Sequence, residues 1–181
     1  RVASLHYYME KQHEIRSRLI QEKQDINKLW KLAYTDMLTG LNNRQLFEKR
    51  LEEYAGYGSC ITLSFIDVNG LKTTNDQFGH LEGDAYLIDV SRILSEISGR
   101  LNMDLFRYGG DEFVMMGNGV NEPELAAALE QANEQLKSGP DRYPRSISYG
   151  VVRGDCTDYP SLIAEADDQM YQYKLKYYEK M

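Results

Sequence analysis

Arg107-Tyr108-Gly109-Gly110-Asp111-Glu112-Phe113-Val114-Met115-Met116 is the stretch that decides the fold, because two adjacent carboxylates follow a glycine pair between two apolar segments. Leu105 and Phe106 close one expected strand and Phe113 to Met116 open the next. Gly109-Gly110 is therefore expected at a hairpin tip of the kind that accepts positive φ. Glycines there also let a phosphate come close to the backbone. Gly-Gly-Asp turns occur in hairpins with no chemistry as well, and the remainder of the chain decides between the two.

A second acidic element, Phe65-Ile66-Asp67-Val68-Asn69-Gly70-Leu71-Lys72, stands where the apolar, β-rich run Cys60 to Val68 ends. That run reads as a buried central strand. A carboxylate at its end, beside an acidic hairpin, suits a nucleotide-bound Mg²⁺, which takes one or two carboxylates and completes its octahedron with phosphate oxygens and water. Asp67 and Asp111 supply those carboxylates if their strands are neighbours. Two such ions would activate a hydroxyl and neutralise the charge building up at phosphorus. Taken alone, Asp67 is also an ordinary strand-end turn residue. Beyond Lys72 come Asn75, Asp76, Gly79, His80, Gly83 and Asp84, of which Asp76 and Gly83 also fit as caps and turns. Guanine shows N1–H and N2–H₂ donors beside its O6 acceptor, and the Asp84 carboxylate with the Asn75 amide matches that set. Asp84 fits equally as an acid in a helix's first turn.

Around these segments the order of elements is α/β in class, α+β mixed, with helices packed on a mixed sheet. Asp36 is expected to cap a short helix before Gly40, and Asn43 precedes an amphipathic run through Phe47 and Leu51. Leu81, Ala85, Ile88, Ile93 and Ile97 have helical spacing. Asn121-Glu122-Pro123-Glu124 starts a helix that should end near Ser138-Gly139-Pro140. Ser146 to Val152 reads as a strand, and Asp158-Tyr159-Pro160-Ser161 opens a last helix running to the C-terminus.

Residues 1 to about 34 differ from the rest. Leu5, Gln12, Leu19, Ile26 and Ala33 recur every seven residues, and Tyr8, Ile15, Glu22 and Leu29 follow the first four by three positions. These are the a and d positions of a heptad pattern, expected to form one continuous helix and half of a parallel coiled coil. Gln12 and Glu22 weaken the seam. The alternative is a single amphipathic helix packed on its own domain. His6 and His13 sit seven apart, which suits a solvated face rather than a metal site.

The 181 residues fit one domain of ordinary size plus an appendage. No apolar run approaches the roughly 20 residues that cross a bilayer, and the N-terminus lacks a signal peptide's apolar stretch, so a soluble, cytoplasmic fragment without membrane contact of its own is expected, with membrane attachment of a longer protein left open. Cys60, in an apolar run, is expected as a buried free thiol, and Cys156 falls in a polar loop; together they make neither a disulfide framework nor a metal-ligand spacing. A formal charge of -7 argues against broad nucleic-acid binding, yet leaves a nucleotide carried with a divalent cation compatible. Opening at Arg1 without a methionine, the sequence is expected to be cut from something longer, with an upstream sensor removed.

Four segments together, Asp36-Met37-Leu38-Thr39-Gly40-Leu41-Asn42-Asn43-Arg44, Asp67 to Asp84, Arg107 to Phe113, and Ala166-Asp167-Asp168-Gln169-Met170-Tyr171 with Lys174, resemble the GGDEF family of diguanylate cyclases. The resemblance covers nearly all of residues 34 to 176. It implies a mixed sheet surrounded by helices, similar to the palm of nucleotide polymerases and class III nucleotidyl cyclases. It divides the chain into a signalling and dimerisation helix over 1–34 and a catalytic domain over 35–181. The implied activity is condensation of two GTP into cyclic di-GMP with loss of two pyrophosphates, dependent on Mg²⁺ or Mn²⁺, at the interface of two facing protomers. Carried over by position, Asp67, Asp111 and the Val68 carbonyl hold metal. Asp111, Glu112 and Lys72 form the catalytic group, Glu112 helping to deprotonate the 3′-hydroxyl. Asn75 and Asp84 read guanine, His80 lines the nucleotide site, Gly109 and Gly110 let the backbone meet the nucleotide, and Lys72 and Lys174 contact phosphate. A homodimer through the N-terminal helix would bring the two half-sites together.

The sequence also departs from that pattern. Asn69 stands where the family most often has a second aspartate, a change expected to be tolerated because the position need not ligate. A phosphate-binding arginine expected around Tyr178 is missing, with Lys176 or Lys180 as substitutes that lack its bidentate fork, so weaker GTP binding is expected. The family's inhibitory Arg-x-x-Asp has Arg100, but Met103 fills the acid's place and the acid is Asp104. The alternative function is a degenerate module that binds GTP or cyclic di-GMP without turnover. A cyclase making 3′,5′-cyclic mononucleotides finds no support in Asn75, Asp84 and Gly109-Gly110 taken together.

Overall fold

The structure is a computed structural model that describes residues 2–139 and 142–179, and side chains from His6 onward. Leu5 of the heptad pattern (as a side chain), Pro140 of the expected helix end and Lys180 lie outside the described residues. Contacts divide the chain into two units, 1–35 and 36–181. The first is α1 (Val2–Tyr34), an uninterrupted helix. Its heptad side chains Tyr8, Ile15, Leu19, Ile26 and Leu29 are all exposed. Pairs such as His6 with Glu10 and Lys11 with Glu14 lie one turn apart along it, and such pairs contribute only about 0.2–0.5 kcal/mol each to a helix. Among the described residues no helix is long and apolar enough to cross a membrane.

The second unit is a five-stranded mixed sheet flanked by helices, as the sequence predicts. In chain order it runs β1 (Asn42–Asn43), α2 (Arg44–Gly56), β2 (Cys60–Val68), α3 (Leu71–Phe78), α4 (His80–Leu101), β3 (Asp104–Arg107), β4 (Glu112–Gly117), α5 (Glu122–Lys137), β5 (Ile147–Asp155), a short 3₁₀ turn over Cys156–Asp158, and α6 (Tyr159–Tyr178). The strand order is β1-β3-β4-β2-β5, with β1 parallel to β3 and the other neighbours antiparallel. From Ile61 to Val68, β2 is buried at every position, including the polar Thr62, Ser64 and Asp67, as expected of a central strand covered on both faces. Alternate residues serve opposite faces. Ile66 and Val68 join Tyr86, Leu87 and Val90 of α4 and Leu125 and Leu129 of α5 in the main core. Phe65 meets Phe47 of α2 and Tyr108 on the other face. Gly150 pairs with Phe65 and so shares that face, where an added Cβ would stand 2.1 Å from the Ala166 carbonyl of α6.

The caps read from the sequence at Asn43 and Asn121 are present: each side chain accepts a hydrogen bond from the backbone N–H three residues on. Side-chain amides pair with part of the outer edge of β5. Asn133 accepts from Ile147 N–H and donates to its carbonyl, and Gln169 accepts from Val151 N–H.

Several expectations are corrected. Asp36 caps a turn, accepting from the Thr39 N–H and hydroxyl, and no helix follows before Gly40. Gly109 and Gly110 lie in the hairpin connection, but neither has positive φ. The connection spans four residues, which closes without a left-handed pair. Cys60 is exposed and Cys156 is buried, because Cys60 begins β2 at the rim of the sheet while the 3₁₀ turn tucks Cys156 beneath α2, its thiol near the Leu51 carbonyl. Leu81, Ala85 and Ile88 lie on the exposed side of α4, and its buried face runs through Gly83, Tyr86, Leu87, Val90 and Leu94.

Candidate functional site

Asp67 sits at the end of β2, 5 % exposed, directly opposite Glu112 of β4 and Ser148 of β5. The neighbouring strand therefore brings Asp111 and Glu112 alongside, and the Val68 N–H donates to the Asp111 carbonyl at 2.9 Å. The hairpin connection is held from both ends. Tyr108 and Gly109 N–H donate to the Glu112 carbonyl, and the Arg107 guanidinium donates to the Gly110 carbonyl at 2.7 Å and to Asp36 at 2.9 Å. Burial works to raise the Asp36 pKa, but hydrogen bonds from Thr39 and Arg107 outweigh it and hold the carboxyl below its ordinary value. Beneath the connection, Tyr108 packs on Phe47 and Phe65, with the Arg44 guanidinium 4.5 Å above its ring. At Gly109 the backbone has no positive φ, and a Cβ there would stand 2.6 Å from Glu112 Oε2, so a side chain at 109 would make the Glu112 carboxylate move aside.

Lys174 reaches the same point from α6, where Ala166, Met170 and Lys174 follow one stripe and the first two are buried against the sheet. Its ammonium lies 2.7 Å from Asp67 Oδ1. The approach is off the direction of a hydrogen bond, so Oδ1 is buried without a hydrogen-bond partner among the described residues. Burial raises the Asp67 pKa, Lys174 opposes this and Asp111 adds to it, leaving the carboxyl above its ordinary value. Burial would lower Lys174, but Asp67 and Asp111 keep it above the usual lysine value. At Glu112, burial and then the charges of Asp111, Asp67 and Asp167 push the carboxyl upward. Crowded carboxylates, one with an unsatisfied oxygen already drawn to a cation, suit a divalent ion. Among the described residues no three His, Cys, Asp or Glu side chains form a ready-made metal cluster.

The other expected residues lie on α3 and α4, which follow β2 directly. Lys72 is exposed in the first turn of α3, and His80 is exposed at the start of α4. Asn75 lies on α3 and Asp84 in the first turns of α4, and the Asn75 amide lies against Gly83, the residue before Asp84. The structure thus brings Asp67, Asp111, Glu112 and Lys174 together, while Asn75 and Asp84 lie on successive helices, and among the described residues no hydrogen bond or ion pair joins Lys72 or His80 to any of them. Lys176 does not join Lys174; it lines a cleft of about 330 Å³ with Glu130 and Tyr173 on the α5 side. Tyr178 lines a smaller cleft with Gly70, Thr73 and Thr74 at the start of α3. Arg100 is bonded to Gln131 at 3.3 Å.

Asn69 was legible only as a departure, and the structure gives it a task. Its side chain is 1 % exposed, donates to the Ser146 hydroxyl and accepts from the Ser148 hydroxyl, both at 2.9 Å. The Tyr86 hydroxyl donates to the Asn69 carbonyl. The residue after the Val68 carbonyl is thereby pinned to β5, and no positional signal in the sequence announces the pairing.

A family profile described as "Diguanylate cyclase, GGDEF domain" matches residues 33–180. Diguanylate cyclase DgcP of Escherichia coli is 33% identical over 153 residues, covering 78% of this chain and 45% of that protein. Cyclic di-GMP phosphodiesterase PdeB of Shewanella oneidensis is 38% identical over 141 residues, covering 75% of this chain and 16% of that protein. The chain therefore spans less than half the length of these relatives. Among solved structures, the coiled coil and GGDEF domain of DgcB from Caulobacter crescentus, in complex with c-di-GMP, superposes with a TM-score of 0.82 over 92% of this chain and 93% of that one; at 22% identity it shares the fold.

Proposed function

The chain belongs to the GGDEF domain family of diguanylate cyclases, and from that membership we propose that it condenses two GTP into cyclic di-GMP between two facing protomers, each holding one GTP. The observation that carries the reading is the meeting of Asp67, Asp111 and Glu112 on paired strands, with the Lys174 ammonium against the buried Asp67 oxygen. In this reading Asp67, Asp111 and the Val68 carbonyl hold Mg²⁺ or Mn²⁺, which when bound neutralises charge developing on the phosphates and lowers the pKa of the attacking hydroxyl. Residues 1–34 serve as the dimerisation helix and 35–181 as the catalytic domain.

The 3′-hydroxyl oxygen of one GTP attacks the α-phosphorus of the other, the bond from that phosphorus to pyrophosphate breaks, and the hydroxyl proton leaves to a base. Glu112 fits as that base, since burial and neighbouring carboxylates raise its proton affinity. Lys174 transfers its contact from Asp67 to a phosphate oxygen, and Lys72, free in the first turn of α3, meets the outer phosphates. Asn75 and Asp84 read guanine, and the open side of His80 borders the nucleotide. Gly109 and Gly110 leave the hairpin backbone bare on the side the nucleotide approaches. Two such events, one in each direction, close the ring and release two pyrophosphates.

The test is incubation of the protein with GTP and Mg²⁺ and chromatography of the nucleotides, beside Asp111→Asn. Cyclic di-GMP from the unmodified protein, falling at least 100-fold in the variant, is the expected result. A second reading, a module that binds nucleotide without turnover, draws on Tyr178 at the place of the missing arginine. GTP bound with Mg²⁺ by a dimer that forms no product would select it.

A further inference from the structure

Gly83 is buried inside α4 with an ordinary helical backbone. Glycine is less favourable there than alanine, so something other than local conformation accounts for it. An added Cβ would stand 1.9 Å from Asn75 Oδ1 and 2.8 Å from Asn75 Cγ. The amide of Asn75 therefore fills the space that a side chain at 83 would take. It makes no hydrogen bond to the protein among the described residues; shape alone holds it. Reversing the amide would leave the clash unchanged, because Cγ is itself too close. The residue after Gly83 is Asp84, so the packing that seats Asn75 fixes the amide against the turn of α4 that carries this carboxylate.

We propose that Gly83 is a positioning residue for purine selection: its missing side chain is the seat that holds the Asn75 amide against the turn of α4 carrying Asp84, so that the two can read guanine together. This rests on the nucleotide reading above and deepens it, adding a residue that touches no substrate. An alanine at 83 displaces the amide, which is the free end of a side chain and can rotate away, so the helix pair survives while the reading pair is broken.

The experiment is calorimetric titration of GTP and of ATP, each with Mg²⁺, into the unmodified protein, Gly83→Ala, Asn75→Ala and the double variant, with thermal unfolding of all four. Gly83→Ala is expected to weaken GTP binding about tenfold, the loss of one good hydrogen bond, with ATP binding unaltered. The KM for GTP should rise by the same factor while kcat falls less. In the Asn75→Ala background the alanine at 83 should change GTP binding no further and should raise Tm, since the clash is gone and a helical glycine has been replaced. GTP binding undiminished in Gly83→Ala, or an equal loss in both backgrounds, overturns the proposal. An unmodified protein that binds ATP as tightly as GTP overturns the guanine reading itself, and is recognised before any variant is compared.

Discussion

Glu112 shows how far a single side chain can be set against the stability of its own fold. Burial and then the charges of Asp111, Asp67 and Asp167 raise its pKa, so the folded chain binds its proton more tightly than the unfolded chain does. The stability this contributes is complete below the unfolded glutamate pKa and is lost as pH rises through the raised folded value. At neutral pH the ionised carboxylate works against the empty protein. Glu112→Gln is expected to raise Tm by about 1–3 °C at pH 7, a modest gain because the side chain is partly exposed and screened. The gain should vanish toward pH 4, as read by unfolding scans across that range; a lower Tm at pH 7 would show that the carboxylate is not under strain. Asp36 has the opposite sign: its lowered pKa contributes stability above the unfolded value that is lost as pH falls through the folded one. The residues to which the proposed function assigns chemistry, Asp67, Asn75, Asp84 and Asp111, are singled out by residue type and order alone. Gly83 could not, because an absent side chain acquires meaning only when its neighbour in space is known.

At the scale of elements, the connection between β2 and α3 depends on α4 and β5. Asn69, Ser146, Ser148 and the Tyr86 hydroxyl form a buried network there. Asn69→Ala removes one donor and one acceptor from it and is expected to cost about 1–3 kcal/mol in denaturant unfolding. A change below about 0.5 kcal/mol would mean that the serine hydroxyls find other partners. The long elements were plain in the sequence: β2 by its largely apolar, β-rich run, α5 by its cap and proline, the β3–β4 hairpin by its glycines. The buried phase of α4 was not, because Leu81, Ala85 and Ile88 have helical spacing yet lie on its solvent side. Periodicity identifies a stripe and leaves open which stripe the sheet covers. The two-residue β1 carries no periodicity at all, and α3 is separated from α4 by Gly79 alone.

For the whole molecule, α1 and the unit from residue 36 onward are separately organised, and the main core draws on neither α1 nor its apolar side chains. A protein beginning at Asp36 is therefore expected to unfold within about 2 °C of the full chain. If α1 pairs two protomers, the shortened protein should need at least 10-fold higher concentration to reach the same specific activity, because the second half-site is no longer held nearby. Activity measured against protein concentration for both lengths checks this, and identical curves would remove α1 from the assembly. The amide groups of Asn133 and Gln169 along the outer edge of β5 bear on the same assembly. Domains tethered at high local concentration and carrying a bare strand edge are prone to zip into a continuous sheet and aggregate. With those groups of the edge occupied, two such domains are expected to meet and separate without joining strand to strand, which is what the proposed synthesis between them would need for a ring-shaped product to leave.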